Sequence, residues 1–184
     1  GPVTTDVEVL IIGGGVFGTS TAFHLAKKGC RGVRLLEART IGSQSSSHAA
    51  GFIRVHRASD LATQMALYTI QMFERFTEET GHDVGARQVG GALVALTDET
   101  DRKLHLWPER AKRFGLECHL LTPAEARARF PLMQSDGIRS VAYEPRDVYL
   151  DPAEVPIAFA KGARDRCVDL VEQTPVRGIE VEGG

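Results

Sequence analysis

Several classes of protein are excluded by what this sequence has little of. There are only three cysteines, Cys30, Cys118 and Cys167. They are far apart, odd in number and form no C-x-x-C pair, which argues against a disulfide framework or a zinc site and predicts reduced thiols in a cytosol-like, cytoplasmic setting. No excess of positive charge exists either: 22 Lys and Arg stand against 24 Asp and Glu, a formal net charge of −2. Without a basic stripe, nucleic acid is not an expected partner. The longest apolar run falls far short of the roughly 20 residues that span a bilayer, and no charged-then-apolar leader precedes the first apolar run. A soluble protein without a membrane partner is expected. His24, His56, His82, His105 and His119 show no metal-ligand spacing, and neither a P-loop, a G-x-S-x-G elbow nor an internal repeat occurs. Gly1-Pro2, with no initiator Met, reads as the remnant of a removed tag and is set aside.

What is present is 184 residues with 42% hydrophobic content, enough to bury the core of one domain, or most of one and part of another. Val7–Ile12 is a short, β-branched apolar run that stops at Gly13-Gly14-Gly15, the pattern of a buried parallel strand. VFGTSTAFHLAKKG follows with Gly18, Ala22 and Leu25 on one helical face, and Gly29 supplies the stop. Val33–Glu37 returns as a second strand. Gly13, Gly15 and Gly18 spell G-x-G-x-x-G at the strand-to-helix turn: the first permits the tight turn, the second leaves room for a pyrophosphate, and the third lets helix and strand approach. The helix N-terminus offers free N–H groups and a positive dipole end to that pyrophosphate. Glu37, about 20 residues past Gly18, is placed to accept hydrogen bonds from a ribose diol and disfavours a 2′-phosphate. Dinucleotide binding follows; NAD and FAD both use this unit.

The segments VEVLIIGGGVFGTSTAFHLAKKG, VRLLEA and SSSHAAGFIR together resemble the D-amino-acid oxidase and sarcosine oxidase superfamily of flavoproteins, most of all its dimethylglycine and sarcosine dehydrogenase branch. ERFTEETG, QVGGALVALTDE, LLTPAEARARFPLM and YEPRDVYLDP extend the resemblance over residues 6 to 182. The resemblance implies FAD, held by Gly13, Gly15, Val16, Phe17, Gly18, Glu37, Ala38 and Arg39, with the small-residue loop of Ser46, Ser47, His48, Ala49, Ala50 and Gly51 beside the isoalloxazine ring. Ser45, Ser46 and Ser47 offer short polar donors to the pyrophosphate or ribityl chain, with a flexible serine linker the alternative; for Arg39, cover over the adenine or phosphates stands against an exposed surface arginine. His48 sits where several members join a histidine covalently to the flavin 8α-methyl group. A neutral imidazole nitrogen can make that bond; the competing reading is that the loop packs on non-covalent FAD. Arg54 and His56 are implied as flavin-proximal, with a salt bridge elsewhere the alternative for Arg54. Val176 is implied to reach the adenine through its backbone.

Downstream, 60–80 reads as one amphipathic helix with Asp60 as N-cap and a core stripe of Leu61, Met65, Tyr68, Met72 and Phe76, ended by Gly81. Gln88 to Leu96 reads as a strand of a second, antiparallel sheet, followed by a helix from about Glu99 to Phe114 and a strand at Cys118 to Leu121. Thr122-Pro-Ala-Glu125 matches a capping box opening a short helix. Ile138 to Tyr143 is a strand, a helix runs from Asp151-Pro152 to about Arg166, and Cys167 to Glu172 and Val176 to Val181 read as strands of the first sheet. Where relatives tend to read G-D-G, this chain has Arg146-Asp147-Val148, which weakens any carry-over of local substrate contacts.

The expected fold class is α/β: a Rossmann-type FAD-binding domain, a parallel sheet with helices, over 3–86 and 147–184, plus part of a mixed or antiparallel α+β substrate domain over 87–146. The expected function is oxidation of the C–N bond of an N-methylated or secondary amino acid, dimethylglycine-like or sarcosine-like, by hydride transfer to flavin N5. An electron-transfer flavoprotein or oxygen is the expected acceptor. Members of the branch continue well beyond Glu182-Gly-Gly184, so the chain is expected to need the rest of the same enzyme, or another subunit, for activity, and no catalytic base is assigned. The alternatives are a catalytically silent FAD-binding module of a larger complex and an NAD-dependent dehydrogenase.

Overall fold

Strand β1 (Val9–Ile12) ends at the glycine turn, α1 (Val16–Lys27) runs back, and β2 (Val33–Leu36) pairs parallel to β1, with Val9 opposite Val33 and Ile12 opposite Leu36. The computed structural model describes residues 6–181, so Gly1-Pro2 and residues 182–184 lie outside the described residues. After a 3-10 turn at Ser45–His48, the order is β3 (Phe52–Ile53), α2 (Asp60–Glu74), α3 (Phe76–Thr80), β4 (Arg87–Gln88), β5 (Gly91–Ala95), α4 (Asp98–His105) and α5 (Trp107–Lys112). Then come β6 (His119–Leu121), α6 (Pro123–Arg129), β7 (Ser140–Glu144), β8 (Val148–Tyr149), α7 (Glu154–Arg164) and β9 (Asp169–Val171). The chain divides into two compact units: one is the chain up to Gly51, Phe73–Gly85 and the chain from Leu150 onward; the other is Phe52–Met72 and Ala86–Tyr149. Residues 52–72, which the sequence reading grouped with the dinucleotide half, lie in the second unit.

The first unit is α/β. Its sheet has the order β1-β2-β9, all parallel, with Leu36 opposite Val171. Phe23 of α1 is fully buried, its ring 5.5 Å from Phe159 of α7, and Phe76 of α3 meets Phe159 edge-on at 4.7 Å. Burial of each such ring contributes roughly 1.5–3 kcal/mol. Gly162 makes the α1–α7 approach possible, because a Cβ there would lie 2.8 Å from the Phe23 ring.

The second unit is antiparallel. β7 is the central strand between β5 and β6, with Gly91 opposite Glu144 and His119 opposite Tyr143, and β8 joins β3 to β4. One core cluster holds Val55, Ile70, Ala111, Leu116 and Val148, another Ala95, Leu104 and Ala142.

Six expectations are corrected. The 60–80 helix breaks at Arg75 (φ −109°, ψ 6°) into α2 and α3. Asp60 is not its cap: the Ser59 side-chain oxygen accepts from Ala62 N–H at 3.1 Å. Of the expected stripe Phe76 is buried, but Leu61, Met65 and Tyr68 are 60% or more exposed, and α2 instead buries Thr63 and Ile70 with Leu67 packed beside them. The reason is local: the Thr63 hydroxyl accepts from Arg57 N–H at 3.0 Å, so the turn that starts the helix also fixes which face turns inward. The 88–96 strand is divided at Gly90 (φ +72°), where Val89 and Gly90 both donate to the Asp147 carbonyl at 3.0 Å. The 99–114 helix restarts after Leu106, where Pro108 opens α5 and has no N–H to continue the ladder. Val176 to Val181 forms no strand: the chain turns at Gln173 (φ +55°), and Ile179 and Val181 are 75% and 82% exposed. The Thr122–Glu125 capping box is present, with Glu125 N–H donating to Thr122 Oγ1 at 3.3 Å and Thr122 N–H to Glu125 Oε2 at 2.8 Å.

Candidate functional site

The cradle in the first unit is made mostly of backbone. Gly13 adopts φ +105°, a conformation open to glycine, and its N–H donates to the Leu36 carbonyl at 2.8 Å. A Cβ on Gly18 would stand 1.9 Å from the Gly13 carbonyl oxygen. Among the described residues, a Cβ on Gly15 would meet the Ser46 hydroxyl, at 3.4 Å, and nothing nearer. Gly15 caps α1 without a side-chain bond, and the first turn carries no acidic residue, so the positive end of the helix is not neutralised from within its own sequence. Phe17 is 89% exposed at that end, and Val16 N–H donates to Ser46 Oγ at 3.0 Å.

Glu37 is buried beside this turn. Its Oε2 accepts Gly14 N–H at 2.6 Å and its Oε1 accepts Arg39 N–H at 2.8 Å. Two backbone donors therefore hold the carboxylate at the end of β2. The backbone here is tied to the segment after β9, with Thr174 N–H donating to the Glu37 carbonyl at 2.8 Å and Gln173 N–H to the Arg39 carbonyl at 2.9 Å. That brings the approach to Val176 beside Glu37, with Val176 37% exposed. Ala38 and Arg39 are exposed.

Past Glu37 the loop folds back onto the glycine turn. Two of its anchors were invisible in the motif. Gly14, the unassigned middle glycine, is buried; a Cβ on it would lie 2.7 Å from Ile41 Cδ1. Gly42 (φ +75°) donates to the Gly14 carbonyl at 2.9 Å. The one signal for either was the glycine itself. His48 closes the 3-10 turn and is exposed, as are Ala49 and Ala50; the side chains of Ser45 and Ser47 lie outside the described residues. Gly51 (φ +71°) is required because a Cβ would come within 2.3 Å of the Leu150 carbonyl oxygen. In one unit the structure thus gathers the glycine turn, Glu37, Ser46 and His48.

A bare helix terminus, a glycine pair at backbone contact and a buried carboxylate fixed beside them fit a dinucleotide's diphosphate and ribose. A family model described as DAO, FAD dependent oxidoreductase, matches residues 8–184. The chain belongs to this family of FAD-dependent oxidoreductases. It is 36% identical to human mitochondrial sarcosine dehydrogenase over 185 residues, covering 98% of this chain and 20% of that protein. It is 35% identical to rat mitochondrial dimethylglycine dehydrogenase over 173 residues, covering 94% of this chain and 20% of that protein. The chain therefore spans about a fifth of the length of these relatives. Its fold matches the crystal structure of L-proline dehydrogenase from P. horikoshii with a TM-score of 0.86 at 28% identity, covering 98% of this chain and 47% of that one. FAD is the cofactor of this family, and the α/β expectation holds.

Arg54 and His56 belong to the second unit, where they enter a buried polar cluster. Arg54 Nη2 donates to Glu144 Oε2 at 3.2 Å, and its Nε lies 3.9 Å from Asp147 Oδ2. The His56 ring is 1% exposed, lies 4.4 Å from the Trp107 ring at a tilt of 36°, and donates through Nδ1 to Glu144 Oε1 at 2.7 Å; Trp107 Nε1 donates to the same oxygen at 2.9 Å. Asp147, fully buried, accepts Val55 N–H on Oδ1 at 2.9 Å. Burial pushes its carboxyl up to about 6, reinforced by Glu144 and opposed by the Val55 N–H. Burial also pushes the Cys118 thiol up to about 12. None of this cluster was legible beyond the possibility of a salt bridge at Arg54. Among the described residues, no group of three or more His, Cys, Asp or Glu could hold a metal, and no helix is long and apolar enough to cross a membrane.

Proposed function

We propose that this chain is the nucleotide-holding portion, with part of the substrate side, of an oxidoreductase that oxidises the C–N bond of an N-methylated or secondary amino acid of the sarcosine or dimethylglycine type. The observation that carries the reading is the Gly18–Gly13 approach beside the pinned Glu37, a turn that any side chain at position 18 would force apart. Bound FAD supplies a two-electron acceptor for the hydride leaving the carbon attached to nitrogen. The end of α1 and the Ser46 hydroxyl would hold the diphosphate, and Glu37 the ribose diol. Ala49, Ala50 and Gly51 would let the loop lie against a flat ring, while the exposed His48 would offer an imidazole nitrogen for a bond to the 8α-methyl carbon, which gives up one methyl C–H and the imidazole N–H as protons and leaves two electrons on the flavin for the acceptor to remove. Val176 would approach the adenine through its backbone. An amine substrate, an electron-transfer flavoprotein or oxygen as acceptor, and the remainder of the enzyme or a second subunit are the partners this reading requires. The three free thiols support a reducing compartment, cytoplasmic in our reading; the human and rat relatives are mitochondrial.

A second reading, a catalytically silent FAD-binding module, is favoured by the Arg146-Asp147-Val148 link, whose Asp147 is committed to the buried cluster. Flavin uptake followed by acid precipitation separates the possibilities. Flavin retained in the pellet of wild type and released from His48→Ala supports the covalent bond, and released flavin supports FAD without it. Failure to take up FAD at all refutes both readings of the site. Amine turnover with an artificial acceptor, by a preparation containing the whole enzyme, then distinguishes catalyst from module.

A further inference from the structure

We propose that Asp147 is a buried proton-binding site whose occupancy decides which of two carboxylates, Glu144 or Asp147, holds the Arg54 guanidinium. The geometry is one cation shared unequally between two acids. Glu144 has the cation now: Arg54 Nη2 reaches it at 3.2 Å, and Glu144 is also served by His56 and Trp107. Asp147 is left with an oxygen that no donor reaches. Among the described residues, Oδ2 is buried without a hydrogen-bond partner, and so is Arg54 Nε, the donor 3.9 Å away. An unmatched acceptor and an unmatched donor, side by side but beyond bonding distance, are costly if the acid is ionised. They are far less so if the empty oxygen carries a proton.

Loss of that proton changes the balance. An ionised Asp147, buried as it is, draws Arg54 Nε across the remaining gap, satisfying both orphan atoms at the expense of the bond to Glu144. The carboxylate has little freedom to turn away, because Oδ2 lies so near Gly91 that a Cβ there would be 2.1 Å from it, and the same Cβ would be 2.9 Å from the Phe52 ring. The titratable groups facing Asp147 are Arg54 and His56 from the segment after β3, Glu144 at the end of β7, and Cys118 just before β6. Cys118 does not exchange charge here, since its thiol is pushed up to about 12. The Arg54 side chain, 30% exposed against 4% or less for Glu144, His56 and Asp147, carries the change to the surface of the second unit. The inference is independent of the flavin reading.

The test is an NMR titration of the full 184-residue chain, flavin-free and isotope-labelled, from pH 4.5 to 8, following the Asp147 carboxyl carbon and the Arg54 Nε–H resonance. The expected result is one inflection near pH 6 in both signals, with coincident midpoints. In Asp147→Asn the Arg54 signal should stay at its low-pH position throughout. If that variant does not fold, coincidence of the wild-type midpoints remains decisive. An Asp147 carbon that titrates near pH 4, an Arg54 signal that does not move with it, or a midpoint that belongs to His56 while Asp147 stays ionised overturns the proposal.

Discussion

Replacing Gly18 with Ala adds one methyl group at the point where the structure has least room for it. The new carbon would sit 1.9 Å from the Gly13 carbonyl oxygen and 3.0 Å from its carbonyl carbon. An ordinary carbon–oxygen contact is roughly 3.3 Å, so backbone must move by about 1.4 Å. The obstacle is main chain and not a flexible side chain, which places the cost at the upper end of the overpacking range, about 3 kcal/mol. Movement of α1 away from β1 also widens the turn whose N–H groups are proposed to hold the diphosphate. Loss of about 3 kcal/mol from the site corresponds to a roughly 100-fold weaker flavin Kd. The comparison is Gly29→Ala: Gly29 is also left-handed, at φ +86°, but has nothing within 4 Å of an added Cβ. It should lose about 1–2 kcal/mol of stability through backbone conformation alone and leave flavin affinity unchanged. Urea unfolding followed by circular dichroism, and FAD titration followed by fluorescence, measure the two quantities on each variant. Gly18→Ala with wild-type affinity and stability, or equal flavin loss in both variants, would refute the steric argument.

Glu37→Gln removes a charge-assisted acceptor from either Gly14 N–H or Arg39 N–H and should cost about 1–3 kcal/mol of stability, together with a clear rise in flavin Kd; an unchanged Kd in the same titration contradicts the role given to Glu37. Phe23→Ala, in the fully buried contact between α1 and α7, should lower unfolding free energy by about 3–5 kcal/mol, and a loss below 1 kcal/mol in urea would show that the site collapses freely. The stability contributed by Asp147 should be complete below about pH 4 and lost as the pH rises through about 6, because its folded pKa is raised from 3.8 to about 6; the span is about 3 kcal/mol at most. Urea unfolding of wild type and Asp147→Asn across pH 4 to 8 isolates that slope, and parallel profiles for the two proteins would contradict it.

The parts of the molecule that the sequence displayed are those in which a residue's own geometry sets the structure. Gly13, Gly18 and Gly81 mark turns or close approaches because a missing Cβ has one backbone consequence, and Thr122 with Glu125 closes a box within four residues. The failures lie where the deciding partner is distant. The apolar stripe of Leu61, Met65 and Tyr68 looked like a core face, yet Thr63 went inside because its hydroxyl closes the turn at Arg57 and Ser59. Arg54, His56, Glu144 and Asp147 come together over separations of about 90 residues, and no periodicity reports such a meeting. The same distinction separates the two functional claims. Nucleotide binding depends on backbone that few side chains would permit, so it is written in glycine and can be tested by adding a methyl group. Proton binding at Asp147 depends on which of two acids a single arginine is nearer to, a difference of 3.2 Å against 3.9 Å. It must be tested by moving the proton itself.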